Sequence, residues 1–204
     1  MGGRGSHSKL ESSSFTDFAE GDTDEKKFFG IGNGGDNDKW VMSLSEDERK
    51  AITGYTLADY GEINDYLRGK SYSGDISEDK LKQIENIKTG ITGKTLKAGV
   101  VVHRYDDGGF AGIEDSSELE NLKPGSILTA KGFLSTSLVR KTGFGSIGYD
   151  IKLPKNFKKG QLVKQISEYQ TEKEFLIDHG TKFKFTGLSK DGSENVVLQL
   201  EYLE

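Results

Sequence analysis

The spacing of apolar residues predicts helices in the first half of the chain. Ser45 and Glu48 form the S-x-x-E pattern of a capping box, and Ile52 and Tyr55 follow on one stripe of the predicted helix. We expect a break in this helix at residues 54–56, where glycine and threonine interrupt the pattern.

Two further segments, residues 57–69 and 76–87, continue with helical periodicity. Ser77 is the expected N-cap of the second segment. The first segment has four residues that share one face: Tyr60, Ile63, Asn64 and Leu67. The pattern thus predicts about three helices before residue 97.

After residue 97 the chain changes to β-branched runs and to alternation of apolar and polar residues, which predict strands. These runs are separated by turns that contain glycine. Because helices come first and strands follow without regular alternation of the two, the chain predicts an α+β fold with a mainly antiparallel sheet or two packed sheets. The predicted strand segments are residues 98–106, 125–138, 146–154, 160–167, 173–188 and 195–203.

The N-terminal region differs in character from the rest. Residues 1–25 are rich in Gly, Ser and Asp and lack periodicity, so they predict a disordered leader before a single domain at 26–204. Next, Gly30, Gly32 and Gly35 match the G-x-G-x-x-G fingerprint of dinucleotide-binding folds. That fingerprint needs a strand before it and a helix directly after it, and neither is predicted here. A glycine-rich loop is therefore the favoured interpretation.

Composition and charge exclude several classes of protein. The chain has 28 basic and 33 acidic residues, a net charge of −5, and no concentrated basic face, which argues against nucleic-acid binding. It has no cysteine, so disulfides and thiolate metal sites are excluded. No apolar stretch has the length of a membrane span, and no secretion signal or anchor is visible at the N-terminus.

Two glutamates at the start of a predicted strand are the first candidates for chemistry. Glu172 and Glu174 are two residues apart, so on a strand both side chains would leave one face, roughly 7 Å apart. Like charges in this arrangement destabilise a sheet unless they are solvated or paired with a cation. Taken alone, the pair is typical of a solvated strand edge.

Arg104 and a run of hydroxyl residues are the next candidates. An arginine at the end of a buried strand forms either a structural ion pair or a clamp on a phosphate or carboxylate. Ser135, Thr136 and Ser137 are consecutive in a predicted strand, a pattern typical of an edge or a turn because buried hydroxyls need partners. If Ser135 faced inward, it could hold a carboxylate of the glutamate pair in place.

An arginine, then S-T-S, then E-x-E, each on a separate predicted strand, resembles the R-S-E class of mono-ADP-ribosyltransferases. The resemblance is greatest to actin-modifying binary toxins of the iota-toxin type and to related bacterial and phage enzymes. Tyr55, Tyr60 and Asn64 fall at the spacing that this family uses upstream of its catalytic strands, and the resemblance covers about residues 45–200. It implies an ADP-ribosyltransferase-like fold with N-terminal helices and two packed, mainly antiparallel sheets.

The resemblance also implies NAD as co-substrate, with no metal, and a role for each motif. Glu174 would stabilise the positive charge that develops on the ribose as the nicotinamide leaves. Ser135 would orient Glu174, and Arg104 would hold the NAD phosphates. Thr136 and Ser137 would support the strand and the nicotinamide pocket. The other residues implied to bind NAD are Tyr55, Tyr60 and Asn64 in the helical region and Phe144, which would stack on nicotinamide.

By the same resemblance, the residue type at position 172 indicates which side chain accepts the ADP-ribose. Family members that modify arginine have Glu at this position, and a guanidinium needs a base before it can act as a nucleophile. The resemblance therefore implies transfer to an arginine, with Tyr169 recognising the substrate protein. It also implies a monomer that acts in a host cell on a host protein, with actin the leading candidate, as a toxin, an effector or a phage-encoded enzyme.

One departure from the family pattern affects the phosphate clamp. Iota-type toxins usually have a second arginine after the first, and Tyr105 stands at that position here. Three alternatives remain open from the sequence: an NAD glycohydrolase, a glycoside hydrolase that uses the same two carboxylates, and a non-catalytic module that keeps only the fold.

Overall fold

The architecture was determined from a computed structural model, in which the described residues are 15–19, 24–70, 76–110, 116–141 and 145–204. Within them, helices occupy the first part of the chain and strands most of the second. No helix among these residues is long and apolar enough to cross a lipid bilayer.

Five α-helices are present in the described part of the chain. Short polar segments and tight turns separate them, except that a π-helical turn, Tyr55–Asp59, joins the third helix directly to the fourth. The predicted break near residue 54 is therefore wrong, because the chain widens its helical turn here without leaving the helix. The helices are α1 (Glu25–Phe29), α2 (Asp36–Ser43), α3 (Glu46–Gly54), α4 (Tyr60–Leu67) and α5 (Glu78–Ile91).

Two of the predicted helix starts, at Ser45 and Ser77, are confirmed. The Ser45 side chain accepts a hydrogen bond from the Glu48 amide at 3.2 Å, and Glu48 accepts one from the Ser45 amide at 2.7 Å, which completes the capping box. The Ser77 side chain accepts a hydrogen bond from the Lys80 amide at 3.2 Å at the start of α5. Local hydrogen bonding decides these boundaries, so the sequence predicts them well.

The glycine-rich loop between α1 and α2 differs in one respect from the prediction, because α2 begins directly after Gly35. The loop is nevertheless organised around a carboxylate of the chain itself. Asp38 accepts hydrogen bonds from the amides of Gly32 at 2.9 Å and Gly34 at 3.0 Å. A helix, α1, precedes the loop instead of a strand, so the geometry of a dinucleotide-binding turn is absent at this loop.

Nine strands form one hydrogen-bonded sheet in the described residues. The strand order is β3-β8-β9-β5-β2-β4-β7-β6, and β1 pairs in parallel with β2. Neighbouring strands are antiparallel except for the pairs β1/β2 and β5/β9. The strands are β1 (Phe15–Thr16), β2 (Gly99–Asp106), β3 (Ile127–Thr129), β4 (Leu134–Ser137), β5 (Ile147–Leu153), β6 (Gly160–Leu162), β7 (Glu174–Ile177), β8 (Lys182–Lys190) and β9 (Val196–Leu203).

The two packed sheets that the resemblance implied are thus one mixed, mostly antiparallel sheet. One part of the sheet has the order β3-β8-β9-β5-β2 and the other has the order β4-β7-β6. These two parts meet between β2 and β4, where His103 and Ser137 are the one pair of facing residues described. By contrast, β2 pairs with β5 along its length from Val100 to Asp106. Because β2 forms hydrogen bonds along both of its edges, it joins the two parts into one sheet. The order of apolar and polar residues within each strand does not indicate this pairing between distant segments.

The N-terminal boundary also differs from the prediction of a disordered leader at 1–25. Phe15 and Thr16 pair with Gly99 and Val100 of β2, and the Phe18 side chain is buried in the core. Residues 15–19 therefore belong to the domain. Phe15 and Phe18 are two aromatic residues in a polar stretch, too few to produce a periodic pattern in the sequence. In the structure Phe15 pairs with Gly99, and the Phe18 ring packs near the Phe29 ring. Residues 1–14 and 20–23 of the predicted leader lie outside the described residues.

The helices α2 to α5 pack on one side of the sheet around a second apolar cluster. Trp40, Ile52 and Ile87 are buried there against Phe133 and other sheet residues. The Trp40 indole donates a 2.7 Å hydrogen bond to the Gly90 carbonyl oxygen, which satisfies its buried N–H group. This packing places the π-helical turn and α4 beside the ends of β4 and β7.

Candidate active site

Four of the residues singled out in the sequence meet at one place on the sheet. Arg104 comes from β2, Ser135 from β4 and Glu174 from the first position of β7, while Glu172 precedes that strand. All four line both of two adjoining cavities, with volumes of about 300 Å³ and about 500 Å³. The smaller cavity lies over the sheet, and the larger one extends to the π-helical turn and α4.

Glu174 is the most buried carboxylate in the two cavities, with 5% of its surface exposed. Ser135 Oγ donates a 2.6 Å hydrogen bond to Glu174 Oε1. Burial raises the pKa of Glu174 to about 7, the negative charge of Glu172 raises it too, and Ser135 and Arg104 act in the opposite direction. The site thus holds a carboxyl group that changes charge near neutral pH.

The E-x-E spacing suggested that Glu172 and Glu174 share one face of a strand, but Glu172 lies before the strand. It ends a short 3₁₀ turn, Gln170–Glu172, and Lys173 then adopts a left-handed conformation with φ of 49° before β7 begins. The Ser137 hydroxyl donates a 2.7 Å hydrogen bond to the Glu172 carbonyl oxygen. The turn still directs Glu172 to both cavities, so the two carboxylates share a site for a different backbone reason.

Arg104 is held by hydrogen bonds at two of its nitrogen atoms. Its Nε donates to Asp106 Oδ2 at 2.9 Å, and its Nη1 donates to the Ser135 carbonyl oxygen at 2.8 Å. Asp106 is itself fixed, because it accepts a 3.0 Å hydrogen bond from the Tyr149 hydroxyl. Arg104 therefore makes a structural ion pair and also presents a fixed guanidinium to both cavities. Sequence reasoning missed Asp106, although strand alternation places it on the same face as Arg104.

The helical wall of the larger cavity contains the residues of the upstream motif. Asn64 Nδ2 donates a 2.9 Å hydrogen bond to the Tyr55 hydroxyl, which lies 3.4 Å from the Phe133 carbonyl oxygen. Burial, with the nearby charge of Glu174, raises the pKa of Tyr55, so its phenol stays neutral. Tyr60 also lines this cavity but is 58% exposed, unlike the buried Asn64.

Arg68 lines the larger cavity and was missed in the sequence. It follows Asn64 by one helical turn, so the i, i+4 relation was the available signal. Together with Arg104 it places two guanidinium groups on the walls of one cavity. Its only described ion pair is a 3.7 Å contact to Asp65, a long and weak interaction.

The remaining candidates lie under the smaller cavity or at the edge of the larger one. Thr136 Oγ1 donates a 2.6 Å hydrogen bond to the Phe175 carbonyl oxygen, which ties β4 to β7 under the smaller cavity. Tyr169 is half-exposed at the larger cavity. Lys141, another lining residue that the sequence did not indicate, donates to the Thr171 carbonyl oxygen at 3.0 Å. Phe144, the predicted nicotinamide-stacking residue, lies outside the described residues.

A buried polar network borders the smaller cavity. His103 contacts Asp150 Oδ1 at 2.8 Å through Nδ1 and Asp17 Oδ1 at 2.9 Å through Nε2. Burial alone would lower the pKa of His103, but these two carboxylates outweigh it and raise that pKa. Arg140 also donates to Asp150 at 2.8 Å. Among the described residues, no group of three or more His, Asp or Glu side chains is arranged to hold a metal ion.

The fold agrees with comparisons to known proteins. Residues 34–204 match the sequence pattern of the ADP-ribosyltransferase exoenzymes. The chain therefore belongs to the ADP-ribosyltransferase exoenzyme family, a family of NAD-using toxin enzymes. It is 26% identical over 158 residues to the NAD(+)–arginine ADP-ribosyltransferase EFV of Enterococcus faecalis, which is 72% of this chain but only 30% of that protein's length.

Two solved structures show the same fold along most of their length. Plx2a, an ADP-ribosyltransferase toxin from Paenibacillus larvae, has a TM-score of 0.72 and 28% identity, covering 88% of this chain and 92% of that chain. C3stau2 from S. aureus, solved with NAD, has a TM-score of 0.74 and 19% identity, covering 94% of this chain and all of that one, 100%. The α+β ADP-ribosyltransferase fold with N-terminal helices is thus established for this chain.

Proposed function

We propose that this protein cleaves the nicotinamide–ribose bond of NAD and transfers ADP-ribose to an arginine of a target protein. The observation that carries the proposal is the pair Glu172 and Glu174 at one cavity, with Ser135 bonded to the second carboxylate at 2.6 Å. Membership of the family supports the use of NAD, and the name of the Enterococcus relative supports arginine as acceptor.

Glu174 stabilises the transition state of bond cleavage. Positive charge develops on the ribose as nicotinamide leaves, and a fixed anion beside it lowers the barrier. A pair of unit charges about 4 Å apart, in an effective dielectric constant near 20, gains roughly 4 kcal/mol, or about a thousandfold in rate. The Ser135 hydrogen bond orients the carboxylate and favours its ionised form.

NAD binding is assigned to the walls of the two cavities. Arg104 and Arg68 attract the pyrophosphate. Arg68 thus supplies a second cation, because the residue that follows Arg104 in the sequence is Tyr105 and carries no positive charge. Tyr55, Tyr60 and Asn64 contact the adenosine-phosphate half from the helical side, and Asn64 Oδ1 is buried without a partner among the described residues. Thr136 and Ser137 shape the smaller cavity for the nicotinamide half. C3stau2, the neighbour with the same fold, holds NAD.

Glu172 prepares the acceptor. A guanidinium is protonated at neutral pH and reacts as a nucleophile only after a base takes its proton. Glu172 lines both cavities, so it can pair with the incoming arginine and accept that proton. The half-exposed Tyr169 stands on the same turn, where it contacts the protein that carries the arginine.

Incubation of the purified chain with labelled NAD and a host-cell lysate tests the proposal. We expect a labelled protein band whose modified residue, identified by mass spectrometry, is an arginine. Label on another residue type would refute the acceptor assignment. Release of nicotinamide with no labelled protein would favour the NAD glycohydrolase alternative, and no NAD consumption at all would favour a non-catalytic module.

A further inference from the structure

A buried carboxylate on α1 contacts the residue that separates the two active-site glutamates. Glu25 Oε1 accepts a 2.7 Å hydrogen bond from Lys164 Nζ, and its Oε2 accepts one from Lys173 Nζ. Glu25 is only 2% exposed. Burial opposes ionisation here, but the two lysines outweigh it and lower the pKa of Glu25. Neither Glu25 nor Lys173 is among the residues that line the cavities.

Lys173 has a backbone conformation that depends on support from elsewhere. Its φ of 49° is in the left-handed region, which residues other than glycine, asparagine and aspartate rarely occupy. This conformation is the step between the turn that carries Glu172 and the strand that begins at Glu174. The ion pair with Glu25 holds the Lys173 side chain away from the cavities while its neighbours line them.

A second contact of α1 falls on the other side of Glu174. Phe29 follows Glu25 by one helical turn, and its ring packs on Phe175 with centroids 6.2 Å apart. Thus α1 contacts residues 173 and 175, the two neighbours of Glu174, from one helical face. This helix precedes residue 34, where the match to the family pattern begins.

The two glutamates depend on this support to different degrees. Glu174 is paired with Ser137 in the sheet and is bonded to Ser135, so it is fixed without α1. Glu172 lies in a three-residue turn, where the sheet holds its carbonyl oxygen through the Ser137 hydroxyl, and the path of the chain from this turn into β7 follows from the conformation of Lys173. Loss of the Glu25 carboxylate would leave the ammonium groups of Lys164 and Lys173 close together without their shared counter-ion, which favours a different turn conformation.

We propose that Glu25 is a positioning residue for arginine transfer: its carboxylate fixes Lys173 and thereby the turn that presents Glu172 to the acceptor. The inference rests on the proposed division of roles between Glu172 and Glu174. It gives α1 a function in the choice between transfer to arginine and transfer to water.

The test measures two rates on the full chain: NAD hydrolysis and transfer of ADP-ribose to agmatine, a small guanidine. Glu25→Gln should lower the ratio of transfer to hydrolysis by about tenfold, since small displacements of a catalytic group have effects of this size or larger. Lys173→Met should lower this ratio by a similar factor. The variant that carries both Glu25→Gln and Lys173→Met should show no lower ratio than either single variant, because both changes break the same pair, Glu25 with Lys173. Lys173→Arg keeps the cation and should keep the ratio.

Lys164→Met is the matched control, because it removes the other lysine and leaves the pair of Glu25 with Lys173 intact. Its ratio should equal that of the unmodified chain. A folded Glu25→Gln chain with an unchanged ratio, or with equal loss of both rates, would overturn the inference. If Glu25→Gln does not fold, Lys173→Met compared with Lys173→Arg decides in the same way. If the unmodified chain hydrolyses NAD but never modifies agmatine or protein arginine, the proposed function itself fails.

Discussion

The Ser135 hydroxyl donates a 2.6 Å hydrogen bond to the carboxylate of Glu174, and this contact joins β4 to the first residue of β7 at the floor of both cavities. Burial raises the pKa of the Glu174 carboxyl group, and the hydrogen bond from Ser135 lowers it. Ser135 therefore affects both the direction and the charge of the carboxylate to which we assign the stabilisation of NAD cleavage.

Replacing Glu174 should separate activity from stability. Glu174→Gln is expected to lower NAD cleavage by about a thousandfold, because the fixed anion is lost. The folded-state pKa of about 7 exceeds the ordinary value of 4.5, so the stability that the proton confers is present at low pH and is lost as the pH rises through 7. Glu174→Gln should therefore raise the free energy of unfolding by roughly 3 kcal/mol near pH 8 and change it little near pH 4.

Urea unfolding at the two pH values, together with nicotinamide release, checks this prediction. Unchanged NAD turnover in Glu174→Gln would contradict the catalytic assignment. A loss of stability near pH 8 would instead contradict the raised pKa of Glu174.

Removing the Ser135 hydroxyl should move the pH profile. We expect kcat/KM for NAD cleavage to rise with pH through about 7 in the unmodified chain, as Glu174 ionises. In Ser135→Ala the pKa of Glu174 should increase, so the rising limb should move to higher pH and the rate at neutral pH should fall roughly tenfold to a hundredfold. Ser43→Ala, whose hydroxyl bonds to the Trp40 carbonyl oxygen on α2, is the control. A lower rate with no movement of the limb would contradict this role of Ser135.

Replacing Glu172 should affect the acceptor step selectively. Glu172→Gln removes the base without changing the size of the side chain, so transfer to arginine should fall by about a hundredfold or more while most NAD hydrolysis remains. Parallel assays with and without an arginine acceptor measure the two rates. Equal loss of both would show that Glu172 and Glu174 do not divide the work in this way.

A glycine behind the cavity offers a test of NAD binding through packing. A Cβ at Gly132 would lie 2.5 Å from Asn64 Oδ1, so Gly132→Ala must displace the Asn64 side chain from its place beside Tyr55. We expect KM for NAD to rise by about tenfold with a smaller change in kcat, since binding is affected more than chemistry.

Gly192→Ala is the matched control for this change, because a Cβ there meets no atom within 4 Å. Initial rates across a range of NAD concentrations, with thermal melting of each variant, provide the measurement. An unchanged KM in a folded Gly132→Ala chain would argue that Asn64 does not contact NAD.

The sequence was sufficient where the signal is local. The capping box at Ser45 and the N-cap at Ser77 set helix starts through hydrogen bonds between near neighbours, and both are present. A β-branched run located the strand of Arg104, and alternation of apolar and polar residues located the strand of Ser135. The order of the arginine, S-T-S and E-x-E motifs then indicated a family that the match over residues 34–204 bears out.

The sequence was insufficient where partners distant in the chain decide the structure. E-x-E spacing suggested two glutamates on one strand face, whereas the left-handed Lys173 places Glu172 on a turn. Nothing near Glu25 indicates that it pairs with Lys164 and Lys173, which follow it by 139 and 148 residues. Likewise, Arg68 became a site residue only when α4 packed beside the sheet.

The sequence by itself thus determined helices α3 to α5, most strands and the residue types found at the candidate site, because propensity, capping and periodicity act over a few residues. Tertiary structure alone decided that one sheet joins all nine strands, that Glu25 of α1 pairs with Lys173, and that Glu174 is buried enough for a pKa of about 7. Each of these depends on the pairing of segments far apart in the chain and on the exclusion of water between them, and neither is encoded in any short stretch of residues.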